Sequence, residues 1–200
     1  MFVSIANSVL IVQKPKMELY YETLCPYCNE FVVNQLVPTY KKLVNYVNFE
    51  VIPFGNVKVT IGPDGIPLFK CQHGAAECFG NRVQACAIDI NQNLTLSLDY
   101  IYCMYNDPDW KNTYDTWKRC ATKLSMDWKT VEICNEGKRG FELIKINWKR
   151  TTNLIPPKEY VPWIVIDGKH TETMQKEAQA DLLSYLCKNQ LAGQLIPQCQ

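Results

Sequence analysis

Met17-Glu18-Leu19-Tyr20-Tyr21-Glu22-Thr23-Leu24-Cys25-Pro26-Tyr27-Cys28-Asn29 joins a short β-prone run to a segment whose apolar residues fall at helical spacing as far as Asn45. A Cys-x-x-C pair therefore stands where a strand hands over to a helix, the minimal apparatus for thiol–disulfide exchange. The first turn of a helix presents unpaired N–H groups and a partial positive charge that favour thiolate over thiol. Cys25 is the expected nucleophile. Pro26 suits the first helical position, where its missing N–H costs nothing, and Cys28 falls one turn inside as the buried, resolving thiol. Two cysteines this close can close a small ring that stays reducible, whereas a structural staple of that size would remove little unfolded-state entropy.

Composition sets the bounds. The 200 residues are 47% hydrophobic, enough for one substantial core, and 21 basic against 20 acidic residues leave a net charge of +1. No basic run marks a nucleic-acid surface, and a polyanion partner is not indicated. Ten cysteines are too many for an ordinary reduced cytosolic domain and imply an oxidising route. The eight outside the motif allow on the order of a hundred pairings, so connectivity stays open. A second Cys-x-x-C is absent, and His73 and His170 are the only histidines, so a zinc site is not expected. No metal or cofactor is assigned. Asn93-Leu94-Thr95 is a glycosylation sequon compatible with a secretory route.

Residues 1–13 are mostly apolar but lack a basic start and are too short to span a bilayer, so they read as a truncated signal segment or an extra edge strand. No stretch of about 18 apolar residues occurs elsewhere, and no membrane span is expected. Residues 14–200 read as a single α/β domain. After the Cys-x-x-C helix, kinked at Pro38, Val47–Phe54 reads as a strand buried on both faces. Gly62-Pro63-Asp64-Gly65 is a turn. From about 71 to 152 the pattern is helical, with segments near 79–90, 94–104, 114–124, 128–134 and 141–150. Trp163-Ile164-Val165-Ile166 is a strand, followed by the turn Asp167-Gly168-Lys169 and a short hairpin partner. A last helix carries Met174, Ala178, Leu182 and Leu186 on one stripe.

The order strand, redox helix, strand, helical block, strand hairpin, helix resembles a thioredoxin-like fold with a helical insertion between its strand-helix-strand half and its C-terminal hairpin-helix half. In thioredoxin-like proteins a loop residue and a cis-proline lie against the redox sulfurs, and the backbone there accepts a substrate chain. Val161 and Pro162, just before the strand, stand where that fold needs them.

Cys71-Gln72-His73-Gly74-Ala75-Ala76-Glu77-Cys78-Phe79-Gly80-Asn81-Arg82-Val83-Gln84-Ala85-Cys86 resembles, position for position, the C-Q-H-G-x-x-E-C-x-x-N-x-x-x-x-C signature of the gamma-interferon-inducible lysosomal thiol reductase (GILT) family. The resemblance covers roughly residues 17–199. It implies a glycoprotein of the endosomal and lysosomal pathway, or a secreted relative, that reduces disulfides of protein substrates at acid pH. It further implies a thiol, small-molecule or protein, as electron donor, and a role in antigen processing or innate immune defence. The redox residues of the family map onto Cys25 and Cys28. Gln72, His73 and Gly74 match its Gln-His-Gly block, for which no chemistry is settled. His73 is read as tuning Cys25, since an imidazolium favours thiolate, or as a satisfied structural histidine. Cys71, Cys78 and Cys86 read as structural bridges.

The chemistry these readings imply is attack of the Cys25 thiolate on a substrate disulfide, followed by attack of Cys28 on Cys25 to release reduced substrate. An unperturbed thiol, with pKa about 8.5, would be almost wholly protonated in acid, so an acid-active reductase needs a strongly depressed Cys25. Two alternatives stand beside it. One is an oxidase or isomerase of the same fold, since the dipeptide between the cysteines only biases redox poise. The other is a disulfide-stapled secreted binding module that has lost activity.

Overall fold

The computed structural model describes residues 13–200. The apolar N-terminal segment, apart from Gln13, lies outside the described residues. The central strand β1 (Lys16–Tyr21) pairs in parallel with β2 (Asn48–Pro53) and antiparallel with β5 (Trp163–Ile166), so the sheet runs β2-β1-β5. Leu19 sits opposite both Val51 and Ile164. The strand is buried from Leu19 to Tyr21, as a middle strand covered on both faces is, and its polar residues Lys16 and Glu18 are confined to the first half. Met17, Leu19 and Tyr21 enter the main core, while Tyr20 turns to the other face against Ile52, Trp163 and Val165.

The redox helix is α1 (Pro26–Phe31), a π-helical stretch Val32–Leu36 and α2 (Val37–Leu43) in one run. Pro38, in the first turn of α2, cannot donate to the preceding turn, and the widened π turn ahead of it absorbs the missing bond without ending the helix. The C-terminal stripe is split: α8 (Glu172–Ala180) stops at Asp181, whose extended backbone and side chain cap α9 (Leu182–Tyr185). Met174, Ala178, Leu182 and Leu186 nevertheless all reach the main core.

Between β2 and β5 the chain first forms a two-stranded hairpin, β3 (Lys58–Ile61) and β4 (Pro67–Lys70), around the Gly62–Gly65 turn. Five helices follow: α3 (Ala75–Asn91), α4 (Leu94–Asn106), α5 (Thr113–Lys123), α6 (Trp128–Glu136) and α7 (Lys138–Thr152). They bury a second core around Val83, Tyr100, Met104, Trp117 and Val131, while Leu98, Ile101 and Tyr105 of α4 point into the main core and tie the two together. The hairpin partner expected after β5 is reduced to the single bridge Ile166 to Lys169. After the tight Asp167-Gly168 turn, with both residues at positive φ, only Lys169 and His170 precede the capping residue Thr171, which leaves no room for a second strand.

The eight cysteines outside the motif pair as Cys71–Cys78, Cys86–Cys134, Cys103–Cys120 and Cys187–Cys199. Three of these bridges staple the hairpin and helices that follow β2, and the fourth closes the C-terminus. Among the described residues no helix is long and apolar enough to cross a membrane.

Candidate active site

The buried strand β1 delivers Glu22 and Thr23 into the interior, and Leu24 then turns the chain through a positive φ of 69°. Cys25 follows as the capping residue of α1, with Pro26 in the first turn. The Cys28 N–H donates to Cys25 Sγ at 3.3 Å. Both thiols are free; Cys25 is 5% exposed, Cys28 0%, and Tyr27 between them stands out at 64%. A hydrogen bond from the Cys28 thiol lowers the Cys25 pKa to about 7 against the opposing effect of burial, helped by the N–H groups of Cys28 and Tyr27 and by the charge of His73. Burial and the Cys25 thiolate push Cys28 well above the usual thiol range. The pair therefore has one sulfur that ionises readily and one that holds its proton.

The polar residues of the 71–86 segment converge on the loop ahead of Cys25. Asn81, buried in α3, accepts the Thr23 N–H at 2.8 Å and donates to the Phe54 carbonyl at 3.2 Å. The Thr23 hydroxyl donates to the Glu77 carbonyl at 2.9 Å. Glu77 Oε2 accepts the His73 N–H at 2.6 Å and lies 2.7 Å from its Nδ1, and the same nitrogen is 3.6 Å from Glu22 Oε1. Glu22 Oε2 accepts the Asn56 N–H at 2.6 Å, and the Asn56 side chain bridges to Gln72 and Lys158. Gly55, at φ 71°, makes this possible, because a Cβ there would lie 2.1 Å from Glu22 Oε2. From α4 the Tyr105 hydroxyl donates to the Glu22 carbonyl at 2.8 Å.

A family model described as gamma interferon inducible lysosomal thiol reductase (GILT) matches residues 16–124. The chain belongs to the GILT family. It is 37% identical over 173 residues to the gamma-interferon-inducible lysosomal thiol reductase of Carassius auratus, covering 86% of this chain and 66% of that protein. It is 32% identical over 186 residues to a GILT-like protein of Anopheles gambiae, covering 88% and 77%. The chain thus spans about two thirds to three quarters of the length of these relatives. Among solved structures it superposes on reduced DsbA from Mycobacterium tuberculosis with TM-score 0.59 at 13% identity, covering 98% of this chain and 90% of that one. A putative protein disulfide isomerase from Nitrosomonas europaea gives TM-score 0.56 at 9% identity, covering 80% and 87%. Identities this low speak for the thioredoxin-like fold alone.

In GILT terms, the Gln-His-Gly block and the Glu and Asn that follow it form the wall behind the redox loop, while Cys71–Cys78 ties off the α3 entrance. The Val161–Pro162 peptide bond is cis, and Val161 shares the main core with Cys25 and Cys28. Gln175 of α8 grips the chain just beyond it, donating to the Pro162 carbonyl at 3.0 Å and accepting the Ile164 N–H at 2.8 Å. Asn93 is exposed and caps α4, its side chain accepting the Thr95 N–H at 3.0 Å. Sequence reasoning passed over Glu22, Thr23, Asn56, Lys158 and Gln175. Only Glu22 left a signal, a carboxylate that follows the apolar Leu19-Tyr20-Tyr21 and stands three residues before Cys25.

Glu22, His73 and Glu77 each bring a ligand atom within 4.8 Å of the others, a grouping able to hold a cation. Their atoms are already engaged with one another and with backbone N–H groups, and no Cys or second His joins them.

Proposed function

We propose that this chain is a thiol reductase that opens disulfide bonds of protein substrates, with Cys25 as nucleophile and Cys28 as resolving thiol. The observation that carries the reading is the asymmetry of the pair: Cys25 caps a helix with its thiol drawn down to about 7, and Cys28 sits behind it, buried and held protonated. The Cys25 thiolate attacks one sulfur of a substrate disulfide, forming a Cys25–substrate disulfide and expelling the other sulfur as thiolate. Cys28 then loses its proton and attacks Cys25 Sγ, which forms the Cys25–Cys28 disulfide and releases the second substrate thiol. A small-molecule or protein thiol restores the dithiol by two further exchanges.

Substrate chains dock along Val161 and Pro162, a reading supported by the cis bond between them and by the place of Val161 in the core that carries both sulfurs. His73 contributes positive charge towards Cys25. The setting is the endosomal and lysosomal pathway or the exterior, at acid pH, in antigen processing or innate immune defence. Family membership supports this, as do four disulfides outside the redox pair, which need an oxidising compartment to form. Asn93 is the glycosylation site, supported by its exposed position at a helix start.

Insulin reduction measured near pH 4.5 and near pH 7 with the parent, Cys25→Ser and Cys28→Ser proteins tests the reading. Acid-active reduction that vanishes in Cys25→Ser is the expected result. Undiminished turnover by Cys25→Ser overturns it.

A further inference from the structure

Two buried carboxylates meet behind the redox loop, Glu22 at 1% exposure and Glu77 at 0%. Groups from every surrounding element face Glu22. From its own loop and α1 come Cys25 and Cys28; from the β2–β3 connection, the Asn56 N–H; from the α3 entrance, His73 and Glu77. α4 supplies the Tyr105 hydroxyl on the Glu22 carbonyl, and the half-buried Lys158 adds positive charge from the segment before β5. One exposed imidazole and one lysine thus serve two carboxylates and a thiolate. Burial pushes Glu22 up to about 7, and the negative charges of Glu77 and Cys25 push the same way, against the Asn56 N–H and His73. Glu77 is also raised by burial.

We propose that Glu22 is a positioning residue whose protonation sets the acidity of Cys25, and that Gln72, His73, Glu77 and Asn81 of the family signature are the frame that holds it there. The proposal rests on the reading of Cys25 as the nucleophile. The interaction between two titrating groups is mutual: if the Cys25 thiolate disfavours the Glu22 carboxylate, the Glu22 carboxylate disfavours the thiolate to the same extent. As pH falls from neutrality, Glu22 takes up a proton and its negative charge disappears. Cys25 then faces His73 and the helix N–H groups with one fewer anion opposing them. Acidification therefore removes an obstacle to the thiolate as protons become abundant, which is the condition an acid-working nucleophile needs. Gly55 gives the carboxylate its slot. Asn56 links that slot to Gln72, and Asn81 pins Thr23 beside it.

The test uses the Cys28→Ser protein, in which Cys25 is the one free thiol because the other eight cysteines are paired. Iodoacetamide alkylation of Cys25, followed by mass spectrometry across pH, gives its titration. Glu22→Gln keeps an oxygen for the Asn56 N–H and removes the charge. The midpoint is expected to fall by roughly half to one pH unit and the curve to sharpen to a single-proton titration, with the two proteins converging near pH 4.5. A merely structural role would not produce that convergence. An unmoved or raised midpoint overturns the proposal.

Carboxyl carbon NMR of the parent provides the reciprocal measurement, which does not depend on Glu22→Gln folding. Glu22 should titrate near 7 and move lower in Cys25→Ser; titration in the ordinary carboxylate range, or no movement, overturns the proposal. Failure of the nucleophile reading is separate, since it shows as insulin reduction surviving in Cys25→Ser.

Discussion

Replacing Asn81 by alanine removes a buried side chain that fastens α3 to two backbone groups, one of them in the redox loop. Asn81 is 1% exposed, accepts the Thr23 N–H, receives the Thr23 hydroxyl at 3.0 Å and donates to the Phe54 carbonyl. Truncation leaves a buried backbone N–H and a buried carbonyl without partners, each costing about 1–3 kcal/mol, and opens a small void beside them. The Thr23 hydroxyl keeps the Glu77 carbonyl, so its loss is partial. The sum is about 3–5 kcal/mol, or roughly 10 °C in melting temperature for a chain of this length. Guanidinium unfolding without reductant, followed by tryptophan fluorescence, measures the stability, and iodoacetamide alkylation of Cys25 measures the site. Asn81→Asp separates the two halves of the argument. It keeps the acceptor for Thr23 but faces the Phe54 carbonyl with an oxygen and sets a third carboxylate beside Glu77, whose Oε1 lies 3.5 Å from the present amide nitrogen. Burial raises such a carboxyl in the folded state, so as pH falls this variant should close part of its stability gap to the parent, while the gap of the alanine variant should stay constant. A loss below about 1 kcal/mol in Asn81→Ala would refute the idea that this residue holds the loop.

Glu22 itself makes stability depend on pH. Its folded pKa of about 7 lies above the usual carboxyl value, so its contribution is fully present below about pH 4.5 and is lost as pH rises to 7. About 2–3 kcal/mol should disappear over that window and not in Glu22→Gln, and a flat parent profile would count against it. Serine at both Cys86 and Cys134, which opens a loop of 48 residues, should cost about 4 kcal/mol in denaturant unfolding; a change under about 1 kcal/mol would show that the helical block holds without its bridge. Cys28→Ser incubated with a disulfide-bonded substrate should accumulate a Cys25 mixed disulfide on non-reducing gels. The assignment of roles fails if the adduct forms with Cys25→Ser instead.

Much of the chain is legible because its information is local. Helices α3 to α7 announce themselves by apolar spacing, and their cores follow from it. The β3–β4 hairpin does not, because its short strands are largely exposed and β4 opens on Pro67, leaving only the turn to read. The break at Asp181 is equally silent: the apolar stripe runs through it unbroken, and the capping geometry that divides the helix comes from one backbone twist. Gln175 looks like any polar residue on a helix until the fold sets it against the Pro162 carbonyl.

The sequence by itself determined the Cys-x-x-C pair, its place at a helix start, the thioredoxin-like order of elements and the family, since each rests on neighbours within a turn or two or on fixed spacing. Only the tertiary structure decided which cysteines pair, and that residues 22, 56, 73, 77, 81 and 158 meet behind Cys25. The physical reason is that ionisation is set by burial and by charges a few ångströms away. Those distances exist only once β1, α3 and the loops around them have packed together.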